Sequence, residues 1–224
     1  MLIEVIWPNV TAWAGEKISL GGGAGIVVDG TYCTLTTVGH DNTGELVGFT
    51  SARCGGRGAQ VVAEGTDTTV GTVVTVKTDI SNGGELGYAV IKFDSAKVIP
   101  LASFSGFAIN GIGPDPHQFG QPVCEQSAAT GFTCGIIAGP TVNPRVVNTH
   151  YLPFQPGGGG APVTVDGFLV GMVDSGFIDR LFWVPSSVVP SEVFPVSKMI
   201  YFSAILDDVN ASGGTGSGFT PIPA

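Results

Sequence analysis

The sequence is short of charged residues, which make up only 12% of its 224 positions. Disordered chains combine high charge with low hydrophobicity, whereas here 43% of the residues are hydrophobic, enough for a sizeable core. Basic residues are scarcest: 9 Lys and Arg stand against 18 Asp and Glu, so the formal net charge is −9. This balance argues against nucleic acid or an anionic membrane as a partner, because both attract basic surfaces.

Long apolar runs are also missing, and no stretch approaches the roughly 18 consecutive apolar residues of a membrane helix. The first ten residues, MLIEVIWPNV, lack the basic region and apolar core of a signal peptide. Two interpretations stay open here. Either a leader was replaced by Met1, or the protein does not use that export route.

Glycine and proline are abundant, with 35 Gly and 15 Pro and no three-residue period. Such a composition is typical of many short strands joined by tight turns, and it excludes helical bundles and coiled coils. At roughly 100–200 residues per domain, the length predicts one domain or two small ones packed together.

Apolar and β-branched runs recur at short intervals and predict an all-β chain. The predicted strands are Gly25–Val28, Cys33–Val38, Leu46–Thr50, Gln60–Ala63, Val70–Val76, Tyr88–Phe93, Cys134–Ile137, Val146–His150, Ala161–Val165 and Phe168–Val173. Turn residues separate these runs, and the pair Asp166-Gly167 between two apolar runs predicts a tight hairpin.

A single segment has helical spacing instead, from Lys198 to Asn210. Its apolar residues are Met199, Phe202, Ile205, Leu206 and Val209. Ser197 is a suitable N-cap and Gly213 follows the end, so we expect a C-terminal helix. A Gly/Ser-rich tail, residues 211–224, comes after it.

The four cysteines, Cys33, Cys54, Cys124 and Cys134, form one early pair and one middle pair. Neither spacing resembles CxxC and the three His are distant in sequence, which argues against a zinc site. Two disulfides, and therefore an oxidising environment, are the better interpretation. We expect no metal and no cofactor.

Four motifs follow one another in a definite order after Cys33. They are TSARC at Thr50–Cys54, GYAVI at Gly87–Ile91, CEQSAATGFTC at Cys124–Cys134 and PGGGGAPV at Pro156–Val163. Together with the terminal helix, this set resembles the trypsin-like serine proteases, specifically the streptogrisin and alpha-lytic branch of actinobacterial secreted enzymes. The resemblance runs from about Ile18 to Asn210.

The resemblance implies a trypsin-like double six-stranded β-barrel with a C-terminal α-helix. On this basis residues 1–17 are an N-terminal extension, residues 18–210 form the two barrels with a boundary near residues 100–118, and residues 211–224 are a tail. It also implies the disulfides Cys33–Cys54 and Cys124–Cys134.

The same resemblance identifies three departures at the catalytic positions. The family's His, Asp and Ser correspond to Arg53, Gly87 and Gly159 in this sequence. Arginine stays protonated and cannot act as a general base, and glycine provides neither a carboxylate nor a nucleophile. The resemblance therefore implies a pseudoenzyme, an inactive homologue of a serine endopeptidase.

No other residue offers itself as a substitute in the sequence. His40 falls in the turn of the first hairpin, and His117 and His150 have no serine or carboxylate in a recognisable arrangement. Asp174-Ser175-Gly176 imitates a nucleophile motif, but it follows a strand where the family places a wall of the substrate pocket. We expect structural roles for all of them.

Parts of a binding site are expected to survive. The backbone N–H groups of Gly157, Gly158 and Gly159 can form an anion-accepting bend, although four consecutive glycines predict a loose one. The strand edge near Ser175–Phe177 can pair with an extended peptide. The alternative is a vestigial cleft without a ligand.

These features predict a structural or interaction module whose protein partners contact the termini, in a large assembly such as an actinobacteriophage virion. The missing leader favours the virion. A secreted pseudoprotease that binds peptides in the old cleft is the alternative, and an active hydrolase with a rearranged site is the third possibility. In each case we expect an extracellular or virion-associated protein.

Overall fold

The computed structural model describes residues 16–78, 86–116, 118–141, 143–176 and 196–224. Most of the N-terminal extension and His117 therefore lie outside the described residues. The first strands are β1 (Ile18–Gly21), β2 (Gly25–Val28), β3 (Thr31–Thr34), β4 (Thr37–His40), β5 (Leu46–Ser51), β6 (Gln60–Ala63), β7 (Thr69–Thr78), β8 (Gly87–Phe93) and β9 (Val98–Leu101). The remaining elements are β10 (Ser103–Phe104), β11 (Phe107–Ala108), β12 (Pro122–Ser127), β13 (Gly131–Pro140), β14 (Val146–His150), β15 (Pro162–Val165), β16 (Phe168–Gly176), β17 (Val196–Tyr201), the helix α1 (Phe202–Ser212) and β18 (Thr220–Pro221).

The first half of the chain forms an eight-stranded sheet in the order β18-β4-β5-β8-β7-β6-β2-β3. Neighbouring strands within this sheet are all antiparallel. Strands β1 and β9 pair in parallel in a separate two-stranded sheet. The sheet curls into a half-barrel. One end strand, β18, comes from the very end of the chain, and no sequence pattern indicated this.

The second half forms a closed barrel in the order β12-β13-β14-β17-β16-β15. Alternate residues of β12 point inward, and Val123, Glu125 and Ser127 are buried. An apolar cluster that includes Val123, Ile137, Leu152 and Met199 fills the interior. The predicted all-β architecture with two barrel-like halves and a C-terminal helix is confirmed.

The turn Asp166-Gly167 joins β15 to β16, which pair antiparallel. Both residues have left-handed backbone, with φ of 51° and 80°. This is the geometry of the tight hairpin turn that a DG pair favours. The hairpin prediction is confirmed.

The helix begins later than its periodicity predicted. Residues 198–201 belong to β17, and α1 runs from Phe202 to Ser212 with Tyr201 at its N-cap. Ser197 is not a cap, because its hydroxyl donates to the Leu152 carbonyl inside the barrel. The barrel needs β17 to close between β14 and β16, and this tertiary pairing overrides the local helical spacing.

Both predicted disulfides are confirmed, Cys33–Cys54 and Cys124–Cys134. The first joins β3 to the turn that follows β5, and the second links directly opposed residues of β12 and β13. They close loops with sequence separations of 21 and 10 residues. Loops of this size correspond to a stabilisation of about 2–4 kcal/mol each.

Glu125 is the least expected residue in the second barrel. Its side chain points inward and is only 1% exposed, and its Oε1 has no hydrogen-bond partner among the described residues. Burial raises the pKa of this carboxyl from 4.5 to about 8. The folded protein therefore keeps Glu125 neutral at pH values at which the unfolded chain ionises it.

This difference predicts a pH-dependent stability. The contribution of Glu125 to the free energy of unfolding is largest below pH 4.5 and falls as the pH rises towards 8, because only the unfolded state releases the proton in that interval. Glu125→Gln removes this dependence, so the variant gains stability relative to the native protein between those two pH values. Urea unfolding across the interval measures the effect, and the exposed Glu16→Gln is the control. Parallel pH profiles for the native protein and Glu125→Gln would contradict it.

Candidate functional site: a cleft around Ser51 and Asp174

A buried polar pair joins the two halves of the molecule. The Ser51 hydroxyl, at the end of β5, donates a 2.9 Å hydrogen bond to Oδ1 of Asp174 in β16. Ser51 is fully buried and Asp174 is 8% exposed. Arg53 approaches from the solvent side, with Nε 3.6 Å from Asp174 Oδ2 and a side chain that is 59% exposed.

A tight turn after β5 positions Arg53. The Cys54 N–H donates to the Ser51 carbonyl, and the Arg53 N–H donates to the Ser51 hydroxyl. The disulfide to Cys33 then ties the turn to β3. Arg53 therefore projects from a short segment that is fixed on both sides.

A register shift in β16 accompanies Asp174. The pairing of β16 with β17 is irregular between Val173 and Ser175. Such irregularities turn a side chain away from the regular alternation of a strand. We conclude that this irregularity helps to bring the Asp174 carboxylate into the junction with Ser51.

Burial raises the pKa of the Asp174 carboxyl. The hydrogen bond from Ser51, the Arg53 guanidinium and the charge of Lys198 act in the opposite direction and favour the ionised form. The neighbours thus partly offset the cost of burying the ionised carboxylate. Burying it without them would be costly.

The three positions at which the family resemblance places catalytic residues all border this pair. A Cβ added at Gly87 would lie 3.3 Å from Asp174 Oδ1, and one added at Gly159 would lie 3.6 Å from the Ser51 Cβ. Arg53 contacts Asp174 itself. The carboxylate of the site therefore comes from β16, beside the place where a side chain at position 87 would begin.

Sequence reasoning missed Ser51 and Asp174 as members of the site. Asp174 was expected to have a structural role in a pocket wall, and Ser51 was only one residue of a motif. Their contact depends on how β5 meets β16, which no local pattern encodes. The one available signal was an Asp within an otherwise apolar strand, because a buried carboxylate needs a partner.

The glycine bend is firmly held, unlike the loose bend that four consecutive glycines predicted. Thr34 donates from its hydroxyl to the Gly157 carbonyl and from its N–H to the Gly159 carbonyl. Gly160 donates to the Val173 carbonyl and accepts from the Thr36 hydroxyl. A Cβ at Gly160 would overlap the Thr34 carbonyl oxygen, and its φ is +93°, so only glycine fits there.

The predicted anion-accepting bend has fewer donors than expected. The Gly158 N–H is already used, because it donates to the Gln155 carbonyl at 2.8 Å. The N–H groups of Gly157 and Gly159 donate to no acceptor among the described residues. Two backbone donors thus remain where the sequence suggested three.

Gly157 and Gly159 line a cavity of about 410 Å³. Its lining residues are Thr31, Tyr32, Cys33, Arg53, Phe154, Pro156, Gly157, Gly159 and Asp174. The Tyr32 hydroxyl donates to Glu64 Oε1 at 2.6 Å, and burial, assisted by this carboxylate, raises its pKa to about 12. The cavity combines apolar walls from Phe154 and Pro156 with polar groups from Arg53, Asp174 and the glycine bend.

The other candidates lie elsewhere. His40 is exposed at the end of β4, and His150 is half-buried in β14. His117 lies outside the described residues. The proposed peptide edge is described only in part, because Ser175 and Gly176 end β16 and Phe177 is not described.

Comparison with solved structures shows the fold. Protease A from Thermobifida fusca superposes with a TM-score of 0.65 at 16% identity, covering 92% of this chain and 100% of that one. An alpha-lytic protease homolog, N4, gives 0.60 at 20% identity over 91% and 99%. An inactivated protease paralogue of the scabies mite gives 0.55 at 15% identity over 87% and 93%. No family model and no curated protein matches the chain.

The chain therefore has the two-barrel fold of the trypsin-like serine proteases. At such low identity the likeness establishes the fold alone. Among the described residues no helix is both long enough and apolar enough to span a bilayer.

The crowding at Gly87 gives a prediction. Gly87→Ala adds only a Cβ at 3.3 Å from Asp174 Oδ1 and should cost little stability. Gly87→Asp places a second carboxylate beside a buried one, so we expect it to be about 1–3 kcal/mol less stable than Gly87→Ala. Combining Gly87→Asp with Asp174→Ser should recover most of that loss in urea unfolding. Simple additivity of the two changes would show that the carboxylates do not meet.

Proposed function

We propose that this chain is a non-catalytic protein that uses a serine-endopeptidase fold as an interaction module. The observation that carries the proposal is the pairing of Arg53 with the buried Asp174 beside Gly159. A cation occupies the position where a general base is needed, and no hydroxyl stands where a nucleophile is needed. Acyl transfer requires both groups within hydrogen-bond reach of each other.

Ser51 does not replace the missing nucleophile. It is fully buried, and its hydroxyl proton is directed at Asp174 in the interior of the junction. A substrate carbonyl has no access to an oxygen in that position. The geometry therefore argues against a rearranged active site built on Ser51.

The setting of the module is also part of the proposal. Two disulfides without a free cysteine in the described residues favour an extracellular or otherwise oxidising environment. We place the protein in a multi-subunit assembly, with the virion of an actinobacteriophage as one such setting. Its partner is a protein, since the net charge of −9 disfavours nucleic acid.

A second candidate function is the binding of an extended peptide in the cleft. The cavity beside Arg53 and the unused N–H groups of Gly157 and Gly159 favour it. Apolar walls from Phe154 and Pro156 would receive side chains, and the backbone donors would receive carbonyl or carboxylate oxygens. In this case the cleft keeps its binding groups without catalysis.

Labelling with a fluorophosphonate tests the proposed function. The native protein should remain unlabelled and should cleave no peptide substrate. The matched positive variant is Arg53→His with Gly159→Ser, which supplies a base and a nucleophile and retains Asp174 as the acid. We expect weak labelling of the introduced serine, with peptidase activity on the order of 10⁴-fold below that of an intact triad, because its support is not tuned for catalysis. Labelling of the native protein would refute the proposal.

A further inference from the structure

The last twelve residues, 213–224, form what we term the C-terminal strap. It leaves α1, crosses to the first sheet and adds β18 to the edge of β4, with Thr220 opposite His40 and Pro221 opposite Gly39. The Ile222 N–H continues the ladder with a 3.3 Å bond to the Val38 carbonyl. The strap thus covers a strand edge that would otherwise present unpaired backbone groups.

Phe219 anchors the strap. Its side chain is 7% exposed and lies with its ring centroid 4.9 Å from Phe49 of β5 and 6.1 Å from Phe202 of α1. Both contacts are edge-to-face, a favourable arrangement for aromatic rings. One strap residue therefore fills a pocket formed by both halves of the molecule.

The first hairpin also receives the strap. The Asn42 N–H donates to the Ser217 carbonyl at 2.8 Å, and Oδ2 of the buried Asp41 accepts the Gly216 N–H at 3.1 Å. The same carboxylate organises its own turn by accepting the backbone N–H of Thr43 and of Glu45. The turn is thus preorganised to bind the strap.

The edge of β4 is shaped for this occupant. A Cβ at Gly39 would overlap the Thr220 carbonyl oxygen and would lie 2.7 Å from the Phe219 ring. Real Cβ atoms do not approach that closely. Any side chain at position 39 therefore excludes the strap.

The first residues of the strap, next to α1, are loosely packed, whereas its last residues are docked on β4. Gly213 and Gly214 have φ of 69° and 88°, and a Cβ at either would meet nothing within 4 Å. Glycines in such unpacked positions can adopt other conformations at little cost. Movement about residues 213–214 breaks the Phe219 packing and the bonds from the Ser217 hydroxyl to the Val209 carbonyl and from the Gly218 N–H to Asn210 Oδ1. An exchanged strap must therefore restore these contacts on its new partner.

We propose that the strap is exchanged between copies, so that the strap of one molecule docks on the β4 edge of another. This rests on the proposed interaction module and names its partner as a second copy of this chain. Every group that holds the strap is present in each copy, so exchange replaces each contact by an identical one. The equilibrium between a strap docked on its own chain and a strap docked on another copy is then set by the protein concentration. A tethered strap has an effective concentration in the millimolar range, which neighbours reach when copies are packed in an assembly.

Two variants that cannot dock their own strap test the exchange. Gly39→Ala blocks the acceptor edge and leaves the strap intact, whereas Phe219→Ala removes the anchor and leaves the edge intact. When the two variants are mixed, the strap of Gly39→Ala can dock only on the β4 edge of Phe219→Ala. Native mass spectrometry should show a dimer with one copy of each, and each variant alone should be monomeric.

The matched control replaces Gly39→Ala by Gly56→Ala, at a position where a Cβ meets nothing within 4 Å. Its own strap stays docked and competes, so mixed dimers with Phe219→Ala should decrease by on the order of tenfold or more. Absence of the mixed dimer in the first pair, while amide exchange shows both second barrels folded, would overturn the proposal.

A peptide corresponding to residues 213–224 provides a second route if Gly39→Ala does not fold. It should bind the Phe219→Ala chain, and the same peptide with alanine in place of Phe219 should not. Lack of binding would also overturn the exchange. Neither experiment depends on the cleft, so a native protein that reacts with a fluorophosphonate would refute the proposed function without affecting this result.

Discussion

The hydrogen bond from Ser51 to Asp174 is the interaction on which the site depends. A carboxylate that is 8% exposed is stable in the folded protein only if its lone pairs are used, and Ser51 and Arg53 come from the opposite half of the molecule. Ser51 satisfies one oxygen from within, and Arg53 approaches the other from the solvent side. The carboxylate therefore fixes how β5 and β16 meet. It thereby also fixes the shape of the cavity beside Gly159. The same carboxylate links the first sheet to the second barrel.

The apolar packing reinforces this junction. One buried cluster contains Val47 and Phe49 from the first sheet together with Leu169 and Met172 from the second barrel. Phe219 of the C-terminal strap belongs to the same cluster, and the Tyr88 hydroxyl donates to Asp208 of α1 at 2.6 Å. The two halves thus share a core as well as a polar contact. The strap adds backbone pairing at the edge of β4, where an open sheet would otherwise be prone to association.

Local structure could be predicted from the sequence, whereas contacts between distant segments could not. The hairpin at Asp166-Gly167 follows from the φ values that such a pair favours, and the strand Val146–His150 follows from its β-branched run. The disulfide pairing came from resemblance to a family, not from spacing. The start of α1 was wrong because closure of the barrel extends β17 into the helical pattern. Asp174 was missed because its partner is 123 residues away, and the glycine bend was misjudged because Thr34 holds it from another strand.

A double-mutant cycle on Ser51→Ala and Asp174→Ala measures the junction most directly. Urea unfolding of the native protein, the two single variants and the double variant gives the coupling free energy between the side chains. The account predicts a coupling of about 1.5–3 kcal/mol, as for a buried hydrogen bond to a charged group. Additive effects within about 0.5 kcal/mol would show that the two side chains do not depend on each other. The cleft would then have no polar link between its halves.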